Sequence, residues 1–359
     1  MSTMRERPTL SVSMASCTLA TCFKNEAPYL LEWIAFHRLA GFERIILFDN
    51  GSTDEGPALL AGLARAGVVE LRRQPDPPDI GPQFHAYASA LAMARSDWVV
   101  FLDLDEFLVL DGAEPVGAFL DRVAPDVSQV VFNWRCFGSS GRKEPGEGLV
   151  IERFLHAGDE RDEVNRSIKS ATRTRAIRAI HLHRPPVREG LVVHADGTPV
   201  RLDRRTAKTE AVRYGGGAVF HYAVKSRREL DAKMARGWAL VPHGDPATLH
   251  EDSNRYFAAH DLNRVRLEVA AHRAAGVRDE MRRLEALRRR TTVRGFVSVA
   301  LCRLCDLSAR LRPLRRKARI FRDRPDLRSG YLQRIGAVAQ EAAVSPLRPR
   351  PDGRPSSTP

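Results

Sequence analysis

Three carboxylates, Asp103, Asp105 and Glu106, fall within four positions of the stretch FLDLDEFL (101–108), directly after the apolar run WVVFL. Carboxylates are costly in a core unless something compensates them. If the chain stays extended here, side chains alternate faces, and Asp103 and Asp105 point the same way. Two carboxylates that close repel each other unless positive charge lies between them. A hard divalent cation, Mg2+ or Mn2+, supplies that charge through oxygen ligands and keeps positions open for substrate phosphates. The competing reading is a solvated acidic turn at a strand end, since short motifs match by chance. The elements that carry the carboxylates decide between the two.

SCTLATCF (16–23) reads as a buried strand and NEAPYLLEWIAFHRLAG (25–41) as a helix, with Pro28 in its first turn and Gly41 at its end. RIILFD (44–49) is a second strand, GPALLAGLARAG (56–67) a helix, and VVELRR (68–73) a third strand. QFHAYASALAMARS (83–96) is a helix and DWVVFLD (97–103) a fourth strand. This α/β alternation predicts a doubly wound, mostly parallel sheet with helices on both faces. Ligands in such sheets gather at the carboxyl ends of the strands. Those ends carry Lys24, Asn25 and Glu26, then Asp49 and Asn50, then the three carboxylates. That placement favours the cation reading.

Farther on, SQVVFNWRCFGSSG (128–141) reads as a strand entering a Gly/Ser loop. ATRTRAIRAIHLHRP (171–185) and GAVFHYAV (217–224) read as extended. SRRELDAKMARG (226–237) reads as a helix capped by Ser226, and 262–290 as a polar helix. Residues 293–311 carry an apolar stripe at helical spacing. The expected organisation is an N-terminal tail (1–14), an α/β domain (15–240), a helical basic C-terminal extension (241–330) and a disordered tail (331–359).

At 43% hydrophobic residues the 359-residue chain can bury a core. It shows no run of 18 uncharged apolar residues and no leader pattern at its start. Cys17, Cys22, Cys136, Cys302 and Cys305 are too few and scattered for a disulfide framework, so a reducing, cytoplasmic setting is expected. Cys302 and Cys305 have zinc-like spacing but no second pair. His181, His183 and His194 read as structural or acceptor-side residues rather than a second metal site.

The basic excess is local. Residues 265–359 hold 23 Lys and Arg against 9 Asp and Glu, and the rest of the chain is nearly neutral. With the apolar stripe, this suggests a helix on the inner face of an anionic membrane. Packing of the stripe on the α/β domain is an equal alternative. Nucleic acid is a poorer partner, because the basic region has few aromatics to stack on bases.

KNEAPYLLEWIAFHRLAGFERIILFDNGSTDEG, FLDLDEFL, NWRCFGSSG and FHYAVKSRRELDAKMARG, in that order over about residues 15–240, resemble glycosyltransferase family 2 and more closely its family 92-like branch. The resemblance implies a GT-A-type fold, a nucleotide-sugar donor, a divalent cation, a carbohydrate or glycolipid acceptor, and inversion at the anomeric carbon. Surface polysaccharide or glycolipid synthesis would suit the membrane-binding idea. On this resemblance Asp105 is the direct metal ligand, Asp103 binds ribose and metal-bound water, and His221 helps to hold the metal or diphosphate. Asp49 and Glu26 would contact the nucleoside, with turn capping and helix-start roles as equal alternatives. Lys225 would neutralise phosphate, with Lys169 and Ser170 a further basic patch. Trp134, Ser139 and Ser140 would meet the sugar. Glu106 reads as structural. Glu144, Glu147 and Asp162 are candidate general bases among which the sequence does not choose. A nucleotidyltransferase is a second enzyme reading, but no Gly-rich basic signature follows the first strand.

Overall fold

A computed structural model describes residues 14–74, 81–112, 114–203, 208–236 and 253–291. The alternating part comprises β1 (Cys17–Phe23), α1 (Ala27–Leu39), β2 (Arg44–Asp49), α2 (Gly56–Arg65), β3 (Glu70–Arg73), α3 (Pro82–Met93) and β4 (Trp98–Phe101). After it come β5 (Glu106–Leu110), α4 (Val116–Asp121), β6 (Val127–Cys136), α5 (Val150–Arg153), β7 (His156–Ala157), β8 (Ile168–Arg173), β9 (Leu191–His194), β10 (Gly217–His221) and α6 (Arg227–Arg236). α7 (Ser253–His260), β11 (Val265–Arg266) and a last helix, α8 (274–291), complete the described chain.

The main sheet runs β3-β2-β1-β4-β8-β6-β10-β5, with β9 paired to β6. β3, β2, β1 and β4 are parallel. β8 is antiparallel to both β4 and β6, β10 is parallel to β6, and β5 is antiparallel to β10. The result is the mostly parallel, doubly wound sheet that the sequence leads one to expect. The two antiparallel strands place strand starts among strand ends. The starts of β5 and β8 lie at the same edge as the ends of β1, β2, β4, β6 and β10.

Alternation along the strands fills two cores. Leu19, Ile45, Leu47, Trp98 and Val100 face α1 and α2, where they meet Trp33, Ile34, Leu60 and Leu63. Ala20, Ile46, Phe48, Val99 and Phe101 face Ala86, Tyr87 and Ala90 of α3. Coverage on both faces explains why all seven residues of β1 are buried. Gly41 ends α1 with φ +92°, and a Cβ there would lie 2.6 Å from that of Pro115, so the turn into β2 needs glycine twice over.

Three expectations change. The strand expected through Asp103 stops at Phe101, and the chain turns before re-entering the sheet as β5. The extended stretch expected over 171–185 is β8, which begins earlier and ends at Arg173. The polar helix expected from 262 begins at 274, because residues 261–266 serve the Gly/Ser loop and β7. Gly138 N–H donates to Leu262 O at 2.9 Å, and β11 pairs with β7.

α8 is amphipathic. Val277 and Leu284 are fully buried in the core that α1 faces, and Glu280 pairs with Arg38 of α1 at 2.9 Å. Its arginines find local carboxylates, Arg283 on Glu280 at 2.7 Å and Arg288 on Glu285 at 2.8 Å. No helix among the described residues is long and apolar enough to cross a membrane. The 293–311 stripe and Cys302 and Cys305 lie outside the described residues.

Glu32 of α1 is buried and accepts the N–H groups of Val150 and Ile151 at 2.9 and 3.2 Å. Burial pushes its carboxyl up to about 7, with the two N–H bonds opposing. A raised folded-state pKa gives stability that is complete below the unfolded value and is lost as pH rises through the folded one. Wild type should therefore lose on the order of 3 kcal/mol relative to Glu32→Gln between about pH 4.5 and about pH 7. Urea midpoints of both chains across that range check this, and parallel profiles would refute it.

Candidate active site

The carboxylates leave the sheet in a tight turn. Glu106 N–H donates back to Asp103 O at 3.0 Å. The Trp33 indole of α1 donates to the carbonyls of Asp103 and Glu106 at 3.1 and 2.9 Å, stapling the turn to the core. The extended geometry that would aim Asp103 and Asp105 at one point therefore does not hold, and each meets its own cation.

Lys169, near the start of β8, is 1% exposed. Its ammonium lies 3.1 Å from Asp103 Oδ2, 3.1 Å from Glu106 Oε2 and 3.4 Å from Leu182 O. The other Asp103 oxygen takes bonds from Gln83 and, at 3.2 Å, from the Tyr87 hydroxyl. One ammonium thus serves two carboxyl groups. Burial opposes ionisation of both, and Lys169 overcomes it only at Asp103, which stays below the usual range. At Glu106 burial wins, reinforced by Asp103 and Asp105, and pushes the group up to about 8. Near neutral pH the trio is then balanced, with one ammonium, one carboxylate and one protonated carboxyl.

Asp105 is served from the other side. Lys233 of α6 places its ammonium 2.6 Å from Oδ2, and His221 at the end of β10 puts Nε2 3.6 Å from Oδ1. Burial opposes ionisation of Asp105, but Lys233 and then His221 outweigh it and hold the group well below the usual range. Burial lowers His221, only partly offset by Asp105, so its imidazole is neutral near pH 7. One turn after Lys233, Arg236 pairs with Glu26 at 2.8 Å. Lys225 has φ 52° and lays its ammonium 4.4 Å from the centre of the Tyr29 ring. α6 is anchored at its start by Ser226, whose Oγ accepts the Glu229 N–H at 3.3 Å, while Glu229 holds Arg153 through both oxygens.

Aromatic rings wall this edge. Trp134, near the end of β6, stands 4.2 Å from the His221 ring and 5.4 Å from His183. α7 adds His260, 6.5 Å from His221 and stacked on Tyr256.

Other sequence-derived candidates hold backbone. Asp49 Oδ1 accepts the Ser52 N–H at 2.9 Å, shaping the turn after β2. Ser139 and Ser140 fix the Gly/Ser loop. Ser139 N–H donates to Asp261 and Ser140 N–H to Asn263, while the Ser140 hydroxyl lies 3.2 Å from His156. Asp162 is engaged by Arg264 at 3.0 Å, Glu144 is exposed beside Arg228 at 3.1 Å, and Glu147 is exposed. His181 neighbours His183, whereas His194 sits on β9. Lys233 and Arg236 lie in the family-like stretch FHYAVKSRRELDAKMARG, where the resemblance assigns them no site role, and Tyr256 and His260 lie beyond it. Only the spacing of Lys233 and Arg236, three apart on one helix, hints at a shared face.

Asp105 and the neutral His221 suit a divalent cation as oxygen and nitrogen donors, and their position already accommodates the positive charge of Lys233. No cluster of three or more protein donors exists among the described residues.

Removing the Lys169 charge takes the cation from Asp103, which is partly exposed, and from Glu106, which is buried. Lys169→Met should cost about 3–5 kcal/mol, and adding Glu106→Gln should recover part of it. Urea denaturation of the single and double variants measures both, and a neutral single variant would remove Lys169 from this role.

The family model for Glycosyltransferase family 92 matches residues 13–236. A glycosyltransferase family 92 protein of Oryza sativa subsp. japonica is 31% identical over 145 residues, 38% of this chain and 24% of that protein. One of Ricinus communis is 28% identical over 143 residues, 37% and 25% of the two chains. The matches thus span about a quarter of these relatives' length. Among solved structures, a mannosyltransferase from Pyrobaculum calidifontis in complex with GDP-Man and Mn2+ is similar at 20% identity and TM-score 0.28, covering 36% of this chain and 37% of that one. Glucosyl-3-phosphoglycerate synthase from Mycobacterium tuberculosis with Mn2+, UDP and glucosyl-3-phosphoglycerate is similar at 20% identity and TM-score 0.25, covering 34% and 44%. The family match takes in more than half of the sequence and every residue from Glu26 to Arg236 that builds the charged edge of the sheet, and on that match the chain belongs to glycosyltransferase family 92.

Proposed function

We propose that this protein is a divalent-metal-dependent glycosyltransferase that moves a sugar from a nucleotide-sugar donor to an acceptor hydroxyl with inversion. The observation that carries the reading is the convergence of Asp105, His221, Lys233, Lys225, Arg236 and Glu26 at one sheet edge, in a chain of this family. Asp105 and His221 would hold the cation, which offsets charge developing on the leaving diphosphate. Lys225 and Arg236 place further positive charge toward that leaving group. Asp103, fixed by Lys169, Gln83 and Tyr87, and Glu26 and Asp49 at the tips of β1 and β2 are positioned for the nucleoside. The Trp134 face and the neighbouring His183 suit a sugar ring.

The acceptor hydroxyl must lose a proton to a general base. Among the described residues, no hydrogen bond or ion pair joins Glu144, Glu147 or Asp162 to Asp105 or His221, so geometry favours none of them. The acceptor is proposed as a carbohydrate or glycolipid.

The test is nucleoside diphosphate release from a panel of nucleotide sugars with Mn2+ or Mg2+, once a donor has been found by thermal shift. Asp105→Asn should lower turnover by about a hundredfold or more while near-UV circular dichroism stays unchanged. Undiminished turnover in that variant, or turnover indifferent to chelation of metal in wild type, would sink the assignment.

A further inference from the structure

We infer that Lys233 is an exchangeable counter-ion, which neutralises Asp105 in the arrangement seen here and passes to the donor's diphosphate when a divalent cation takes over Asp105 and His221. The inference rests on the proposed nucleotide-sugar site and adds a residue and a consequence to it.

The two lysines of the edge differ in exposure and in the element that carries them. Lys169 springs from a central strand, is 1% exposed and touches three oxygens of Asp103, Glu106 and Leu182. Lys233 springs from α6, its side chain is 16% exposed, and its ammonium meets Asp105 and, at 3.2 Å, the Ala223 carbonyl. The Tyr256 ring lies 5.6 Å away and gives the ammonium a second favourable surface as it leaves the carboxylate. A lysine is a point charge on a four-carbon stem and can change partners without moving its helix. Arg236 repeats the pattern one turn later on Glu26, so α6 lays two cations on two carboxylates at the strand tips.

Charge balance then fixes how ligands enter. A divalent cation arriving alone must displace Lys233 from Asp105, whose side chain is 7% exposed, and leave an ammonium without its anion. A diphosphate arriving alone must draw Lys233 away and leave Asp105 without its cation, beside Glu26 and Asp103. Breaking a buried pair in either way is costly. When both arrive, the cation holds Asp105 and Lys233 holds phosphate, and every charge has a partner. Metal and diphosphate must therefore bind with positive coupling, and Lys233 adds to it beyond any direct contact between the two ligands.

The test uses the full chain. Free Mn2+ is followed by electron paramagnetic resonance, and UDP, GDP, CDP and ADP are titrated calorimetrically with and without Mn2+. In wild type, Mn2+ and the preferred nucleotide should tighten each other by the same factor, about tenfold or more. In Lys233→Met, Mn2+ alone should bind about tenfold tighter, the nucleotide with Mn2+ should bind more weakly, and the coupling factor should fall severalfold below that of wild type. Lys233→Gln, which keeps a polar end, serves if the Met variant fails to fold. Unchanged Mn2+ affinity and unchanged coupling in the variant that folds overturn the exchange while leaving the nucleotide site standing. A wild-type chain that binds none of the four nucleotides with Mn2+ overturns the proposed function itself.

Discussion

Everything at the functional edge of this protein depends on one constraint, that carboxylates withdrawn from water must be matched charge for charge. Glu26, Asp105 and Glu106 are buried at one edge of the sheet, with Asp103 partly exposed beside them. Three means of relief operate. Asp103 and Asp105 take lysines, Glu26 takes an arginine, and burial, with Asp103 and Asp105 nearby, pushes Glu106 up to about 8 against the pull of Lys169. Neighbouring carboxylates thus differ in what they can do. One is locked, one is neutral at ordinary pH, and one is held by a partner able to leave.

Topology makes the matching possible. In a purely parallel sheet, one edge would collect only strand ends. Here β5 and β8 run against the rest, so their starts enter that edge and deliver Glu106 and Lys169 to the turn that ends β4. β10 sits between β6 and β5 and sets His221 directly opposite both Glu106 and Cys136 in the register. Residues more than sixty positions apart then form one electrostatic unit. Trp33 ties it to α1 through two carbonyls, so the turn is held by the core rather than by its own charges.

The first half of the fold could be read from sequence because local signals agreed. Pro28 and Gly41 bracket α1, and continuous apolar strands alternate with helices up to Phe101. The stretch FLDLDEFL misled in one respect, since period-two spacing cannot distinguish a strand from a strand that turns and returns. Leu102 and Leu104 are buried on either side of Asp103, so hydropathy shows no break where the backbone makes one. The acidic and histidine members of the site, Asp103, Asp105 and His221, were visible as unusual residues at strand ends. Lys233 and Arg236 were not, because a lysine or arginine on a polar helix looks solvated until tertiary structure supplies its carboxylate. Ser139, Ser140 and Asp49 also carry a local duty that sequence alone does not separate from ligand contact, since each takes part in hydrogen bonds that fix the backbone of a turn.

α8 carries a practical corollary for anyone dissecting the protein. Its Val277 and Leu284 fill the same core as Trp33, and the strap between α7 and α8 holds the Gly/Ser loop through Asp261 and Asn263. A chain cut just after α6, where the strand-and-helix alternation looks finished, would lay bare aliphatic surface and release that loop. Such a fragment should aggregate, so the smallest autonomously folding piece extends to about residue 291, well beyond the last strand of the main sheet.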